Sequence, residues 1–293
     1  MKNNVININK KEPEIRYLQK FSLSKTVIGV CLTIFAFIQI YPLLFLIFLS
    51  FKNNNEIYSG NVMGLPLALR WENYKFAIVD ANVALYFVNS VFVTAVTIIV
   101  SGILACMVAY ALTRMKIKIN RYVQTVFLMG LMVPLHAVLL PIFIVLKNLK
   151  LINSYQALII PYIAFALPMA IFIMLGFFKT LPKEMEESAF IDGCGIYRTF
   201  FQIILPLVRP AIATISIFTF LSTWNEMMFA ITFISKKDFC TLTVGIMQMV
   251  GQYTTNWGAL GAGLVVATIP TIVLYILLSD QVQSGFTAGA IKG

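Results

Sequence analysis

Four of the twelve acids in the chain, Glu184, Glu186, Glu187 and Asp192, are crowded into the stretch KEMEESAFIDGCGIYRTF at 183–200. Pro182 suits the first turn of a short helix, and the three glutamates follow where the positive end of a helix dipole favours acids. Asp192-Gly193-Cys194-Gly195 breaks that helix. Ile196 to Ile204 can then form a second one before Pro206 and Pro210 stop it. The spacing predicts helix, glycine turn, helix. A hairpin of this kind either lies on a membrane surface or inserts its turn into a groove on a soluble partner. GCG is too short for a dinucleotide fingerprint, and no G-x-x-x-x-G-K-[ST] phosphate loop occurs. Any ATP that drives this chain is therefore bound by another subunit.

A second cluster lies in TFLSTWNEMMFA, where Trp224, Asn225 and Glu226 are consecutive in an apolar run. A ring face beside amide and carboxylate acceptors suits a polyhydroxylated solute. An interfacial Trp with an interhelical polar clamp fits as well, because consecutive helical residues point about 100° apart and cannot all face one lumen. The single histidine, His136, fits a hydrogen bond between helices. One His and scattered thiols give no nucleophile and base for an enzyme. No Cys/His spacing matches a metal site, and no disulfide is expected among Cys31, Cys106, Cys194 and Cys240.

The elements that must hold these residues follow from composition. With 59% hydrophobic and 12% charged residues and a mean hydropathy of +0.86, the chain falls outside the range of soluble domains. It is expected to be an all-α integral membrane protein. Apolar runs of about 20 residues are long enough to cross ~30 Å of hydrocarbon. They occur at 26–49, 83–110, 122–146, 155–178, 211–234 and 258–279, which predicts six transmembrane helices, with the hairpin between the fourth and fifth. The first run is too long for the apolar core of a cleaved signal peptide and is expected to stay as an anchor.

The net charge of +10 has a membrane explanation rather than a nucleic-acid one. Fifteen of the twenty-two Lys and Arg fall before the first run, between the second and third, between the fourth and fifth, or at Lys292. That bias predicts both termini, and the hairpin, on the cytoplasmic side. The domain reading is a cytoplasmic segment 1–25, a membrane domain 26–279 containing the loop 179–209, and a cytoplasmic tail 280–293. Pro134 and Pro141, like Pro161 and Pro168, lie two turns apart and can bend their helices toward one side. Gly258, Ala259, Ala262, Gly263 and Ala267 have small-xxx-small spacing, which predicts close packing of the last helix.

At these residues the sequence resembles the inner-membrane permeases of bacterial ABC importers. Glu187-Ser188-Ala189, Asp192-Gly193 and Leu205-Pro206 are similar to that family's EAA…G…LP loop, with Ser188 in place of the central Ala and Cys194 in place of the usual Ala. TWNEMMFAITF, QYTTNWGALGAG and the terminal GFTAGAIKG are similar to stretches of the maltose-type sugar permeases. The resemblance implies a bacterial plasma-membrane complex. Its other parts would be a second homologous permease, an ATPase dimer that holds ATP and Mg, and an extracellular sugar-binding protein. It implies no cofactor on this chain. It also implies that Gly285, Thr287, Gly289 and Lys292 contact the ATPase through an extended tail; a frayed tail is the other reading of the same small residues. The rival class is an ion-coupled secondary transporter, which would usually show paired intramembrane ionisable residues and an inverted repeat.

Overall fold

The computed structural model describes residues 23–115 and 118–290, and side chains at 24–115 and 118–278. Ten helices organise it: α1 (Leu23–Ser50), α2 (Val83–Arg114), α3 (Asn120–Met129), α4 (Leu139–Asn148), α5 (Gln156–Phe178), α6 (Glu184–Ile191), α7 (Arg209–Trp224), α8 (Met228–Phe233), α9 (Leu242–Gln248) and α10 (Trp257–Ala290), with short turns between them. No strand occurs among the described residues. Four helices, α1, α2, α5 and α10, are each long and apolar enough to cross a membrane, and the number of spans reaches six if each of two bent pairs counts as one.

Each bend has a local cause. The run expected to be one helix at 122–146 is instead α3 and α4 with short 3-10 turns between, and its two halves meet at 94°. Pro134 disfavours helical geometry in the residue before it, and Val133 accordingly sits at φ −74°, ψ 114°. Pro141 does no such damage, because it falls in the first turn of α4, where its missing N–H would be unpaired anyway. Pro161 and Pro168 remain inside an unbroken α5.

The second bend, 73°, separates Ile196–Leu207 from α7. Pro206 does not stop the hairpin's second helix as expected. The turn widens at Phe200–Ile204, where the Leu205 N–H reaches the Phe200 carbonyl, so Pro206 follows a place where the ladder has already shifted. The run expected at 211–234 ends early at Trp224 and resumes as α8.

Contacts divide the chain into two units, Met1–Phe45 and Leu46–Gly293. In the second, α2 packs along α5 and α7, and α7 packs on α10. Two cores form along this assembly. One, around Phe178, Phe200, Ile204 and Ile215, lies where α2 ends. The other, around Tyr86, Trp224, Phe229 and Leu260, lies where α2 begins. The tight packing expected of the last helix is present at Gly258, where a Cβ would come within 2.0 Å of the Lys52 carbonyl oxygen. That neighbour is the segment following α1, not the body of a helix. The backbone of α10 continues to Ala290. Gly285, Thr287 and Gly289 thus lie on helical backbone rather than the expected extended tail; their side chains, and Lys292 altogether, lie outside the described residues.

Candidate functional site

The hairpin forms as its sequence dictates. Gly193, at φ +79°, closes α6. Its N–H donates to the Phe190 carbonyl at 3.1 Å, and the Cys194 N–H donates to the Ala189 carbonyl at 2.9 Å. This is a Schellman cap, whose left-handed residue is glycine because a Cβ is disfavoured there. Beyond the turn, α6 packs back on the 196–204 segment.

Side chains then sort by face. Ala189 is buried, whereas Glu187, Ser188, Asp192, Gly193 and Pro206 are exposed and Leu205 is half-buried. The Ser188 hydroxyl is spent locally, donating to the Glu184 carbonyl at 2.8 Å. Next to the exposed polar residues stand Ile191, 85% exposed, and Tyr197, 80% exposed. The tip of the hairpin therefore presents apolar groups to whatever lies beyond it.

Glu186, one position before the family-like motif, faces inward. Its Oε1 accepts from Arg114 Nε at 2.6 Å, with both side chains under a tenth exposed. Arg114 Nη2 also donates to the Leu181 carbonyl at 3.0 Å, and the Tyr110 hydroxyl donates to Oε2 at 3.3 Å. This is the one ion pair among the described residues. It ties the last turn of α2 to α6. In the sequence Glu186 stands in the acidic hairpin and Arg114 among the basic residues after the second apolar run, and nothing there pairs them. The available signal was that Glu186 and Ala189, three apart, share the inward face of α6.

The structure does not bring Trp224, Asn225 and Glu226 to one surface. Trp224 is buried, stacks on Phe220 with ring centroids 5.3 Å apart, and donates its indole N–H to the Ala267 carbonyl at 3.1 Å. Asn225 is exposed and donates to Leu221 O at 2.9 Å. The Glu226 carboxylate accepts the N–H of Phe229 at 2.8 Å, the N–H of Ala230 at 3.2 Å and the Tyr162 hydroxyl at 2.6 Å. It caps α8 and pins that helix to α5. His136 is exposed in the turn between α3 and α4.

Three comparisons bear on this arrangement. Residues 98–288 match the family described as binding-protein-dependent transport system inner membrane component. The chain belongs to this family. Among relatives of the permease, the probable ABC transporter permease protein YurM of Bacillus subtilis (strain 168) is 35% identical over 275 residues, covering 94% of this chain and 91% of that protein. The diacetylchitobiose uptake system permease protein NgcG of Streptomyces coelicolor is 36% identical over 263 residues, covering 89% and 87%. A crystal structure of a bacterial ABC transporter involved in the import of the acidic polysaccharide alginate matches with a TM-score of 0.75 at 22% identity, covering 89% of this permease and 98% of that chain. At that identity the likeness is one of fold.

Proposed function

We propose that this permease forms part of the translocation pathway for a saccharide in an ATP-driven importer. In this reading the 183–206 hairpin is the docking element for a separate ATPase dimer, which holds ATP and Mg. A second homologous permease and an extracellular sugar-binding protein complete the assembly. Each bent pair counts as one span, giving six, with the hairpin between the fourth and fifth and both termini cytoplasmic. The saccharide class is supported by the diacetylchitobiose relative and by the maltose-type sequence stretches.

The observation that carries the reading is the hairpin itself. Its tip exposes Ile191 and Tyr197 beside Asp192, its turn is fixed by a left-handed glycine, and its base is tied to α2 through Arg114 and Glu186. Such a part receives a push at one end and delivers it at the other.

The test is uptake by proteoliposomes holding the permease with its partner permease, ATPase and binding protein. The panel comprises maltose, maltotriose and diacetylchitobiose, each measured with and without enclosed ATP and with imposed proton or sodium gradients. Uptake that requires ATP and ignores the gradients supports the reading. Uptake driven by a gradient without ATP favours the ion-coupled carrier instead.

A further inference from the structure

At the end of the molecule opposite the hairpin, the segment after α1 meets the start of α10 around a cleft of about 410 Å³. That volume lies within the range of small-molecule sites, roughly 300–1,000 Å³, but the lining differs from the usual apolar one. Every residue facing the cleft is polar, including Asn55, Arg70, Glu72 and Thr254.

The floor is held rigidly from behind. Lys52 is fully buried, and its ammonium donates to the carbonyls of Asn61, Val62 and Gly64 at 2.7, 3.0 and 2.6 Å, using all three hydrogens. Asn73, also buried, donates to the carbonyls of Ser50 and Lys52, both at 2.8 Å. Asn54 bridges to the other wall, donating to Thr255 O at 2.7 Å and accepting from Trp257 N–H at 3.0 Å. Gly258 completes the fit, since a Cβ there would come within 2.4 Å of Asn73 Nδ2.

These groups are spent on building the cleft. By contrast, no hydrogen bond or ion pair joins the side chains of Asn55, Arg70, Glu72 or Thr254 to any described residue. They offer a charged donor, a charged acceptor, an amide that does both and a hydroxyl. Trp71, 63% exposed, and Tyr253, 91% exposed, are chain neighbours of these groups.

We infer that this cleft binds one ring of a saccharide, with Arg70 and Glu72 bonding its hydroxyls; Trp71, which lies between them in the chain and packs on Phe51 with ring centroids 4.9 Å apart, is the neighbouring reporter of that binding. A sugar hydroxyl both donates and accepts, so it matches a wall that offers both kinds of partner on a preset frame. The inference rests on the reading of the chain as a saccharide permease, and it adds a contact point at the mouth of the pathway.

The experiment uses the assembled complex in nanodiscs, without binding protein and without nucleotide. It is titrated with whichever saccharide of the uptake panel the same complex imports. Trp71 fluorescence is obtained by subtracting the signal of a Trp71→Phe complex. The expected result is a saturable Trp71-dependent change. Its apparent Kd should rise at least about tenfold in Arg70→Ala and in Asn55→Ala, the effect of losing one strong hydrogen bond. No Trp71-dependent change with an imported saccharide overturns the inference, as does an unchanged Kd in both variants. If Arg70→Ala weakens docking of the purified binding protein and leaves saccharide titration unaltered, the cleft is a protein contact and the inference also falls. Absence of import across the whole panel is a separate result, which counts against the permease's proposed substrate class.

Discussion

The Arg114–Glu186 pair gives a prediction whose sign is unusual. Replacing Arg114 by Met leaves the Glu186 carboxylate buried with only the 3.3 Å contact from Tyr110. Replacing Glu186 by Leu leaves the Arg114 guanidinium buried with one carbonyl, Leu181 O at 3.0 Å. Uncompensated buried charges of this kind cost about 3–5 kcal/mol each, with Glu186→Leu toward the low end because Arg114 keeps a strong acceptor. If the effects were independent, the double variant would lose about 6–8 kcal/mol on the same basis. It instead removes both charges and fills the space with apolar side chains of similar volume, so its expected cost lies below that of either single change. The coupling is then at least about 3 kcal/mol, a factor of ~10². The assay is the thermal midpoint of the purified chain in detergent, where each single change should lower the midpoint by roughly 6–20 °C and the double by less. A double variant as unstable as the two singles summed refutes the reasoning, since the two charges would then not be holding each other.

Gly193→Asn is expected to keep ATP-driven uptake and Gly193→Val to lose it at equal membrane abundance: nothing lies within 4 Å of a Cβ there, so the penalty, about 1–2 kcal/mol, comes from φ +79° alone. Thr199→Val is expected to raise the thermal midpoint, because the buried Thr199 hydroxyl has no hydrogen-bond partner among the described residues and removing it relieves about 1–3 kcal/mol of desolvation. Burial pushes the Cys240 thiol up from its usual value, against the pull of nearby Lys237. Since the thiolate is the reactive form and Cys240 is buried whereas Cys194 is half-buried, maleimide should label Cys194 before Cys240, whose labelling should accelerate as pH rises in mass-spectrometric time courses. Glu226→Gln replaces one carboxylate oxygen with an amide that cannot accept, so uptake of every saccharide in the panel should fall together with the thermal midpoint; changed preference among saccharides at unchanged stability contradicts the cap.

What could be foreseen from sequence depended on how far apart the deciding residues lie. The spans α2, α5 and α10 were legible because continuous apolar length decides them, and the hairpin was legible because Gly193 terminates α6 through bonds within five residues. Proline was ambiguous. Pro134 breaks its span while Pro168 is absorbed, and the break brings Gly130 so close to α5 that a Cβ there would meet Pro168 Cγ at 2.7 Å. That outcome belongs to two helices together. The Arg114–Glu186 pair and the cleft were illegible for the same reason. Their partners are 72 residues apart in one case and about 200 in the other, and Arg114 reads from sequence as one more positive charge beside a membrane.

Glu226 shows why a membrane-depth acid need not be a transport group. Broken backbone inside a membrane protein is tolerated where protein groups satisfy it. The interruption after Trp224 leaves the first N–H groups of α8 without intrahelical partners. Glu226 answers that need directly: Oε1 takes the Phe229 N–H, and Oε2 takes the Ala230 N–H and the Tyr162 hydroxyl. Three donors offset much of the desolvation cost of the charge without a cation. A coupling ion or proton would have to compete with all three donors, and winning would undo the start of α8. Glu186, a buried acid near the end of α2, is already paired with Arg114. Both carboxylates are thus committed to holding helices, an arrangement that fits the proposed entry of the driving force through a partner at the hairpin.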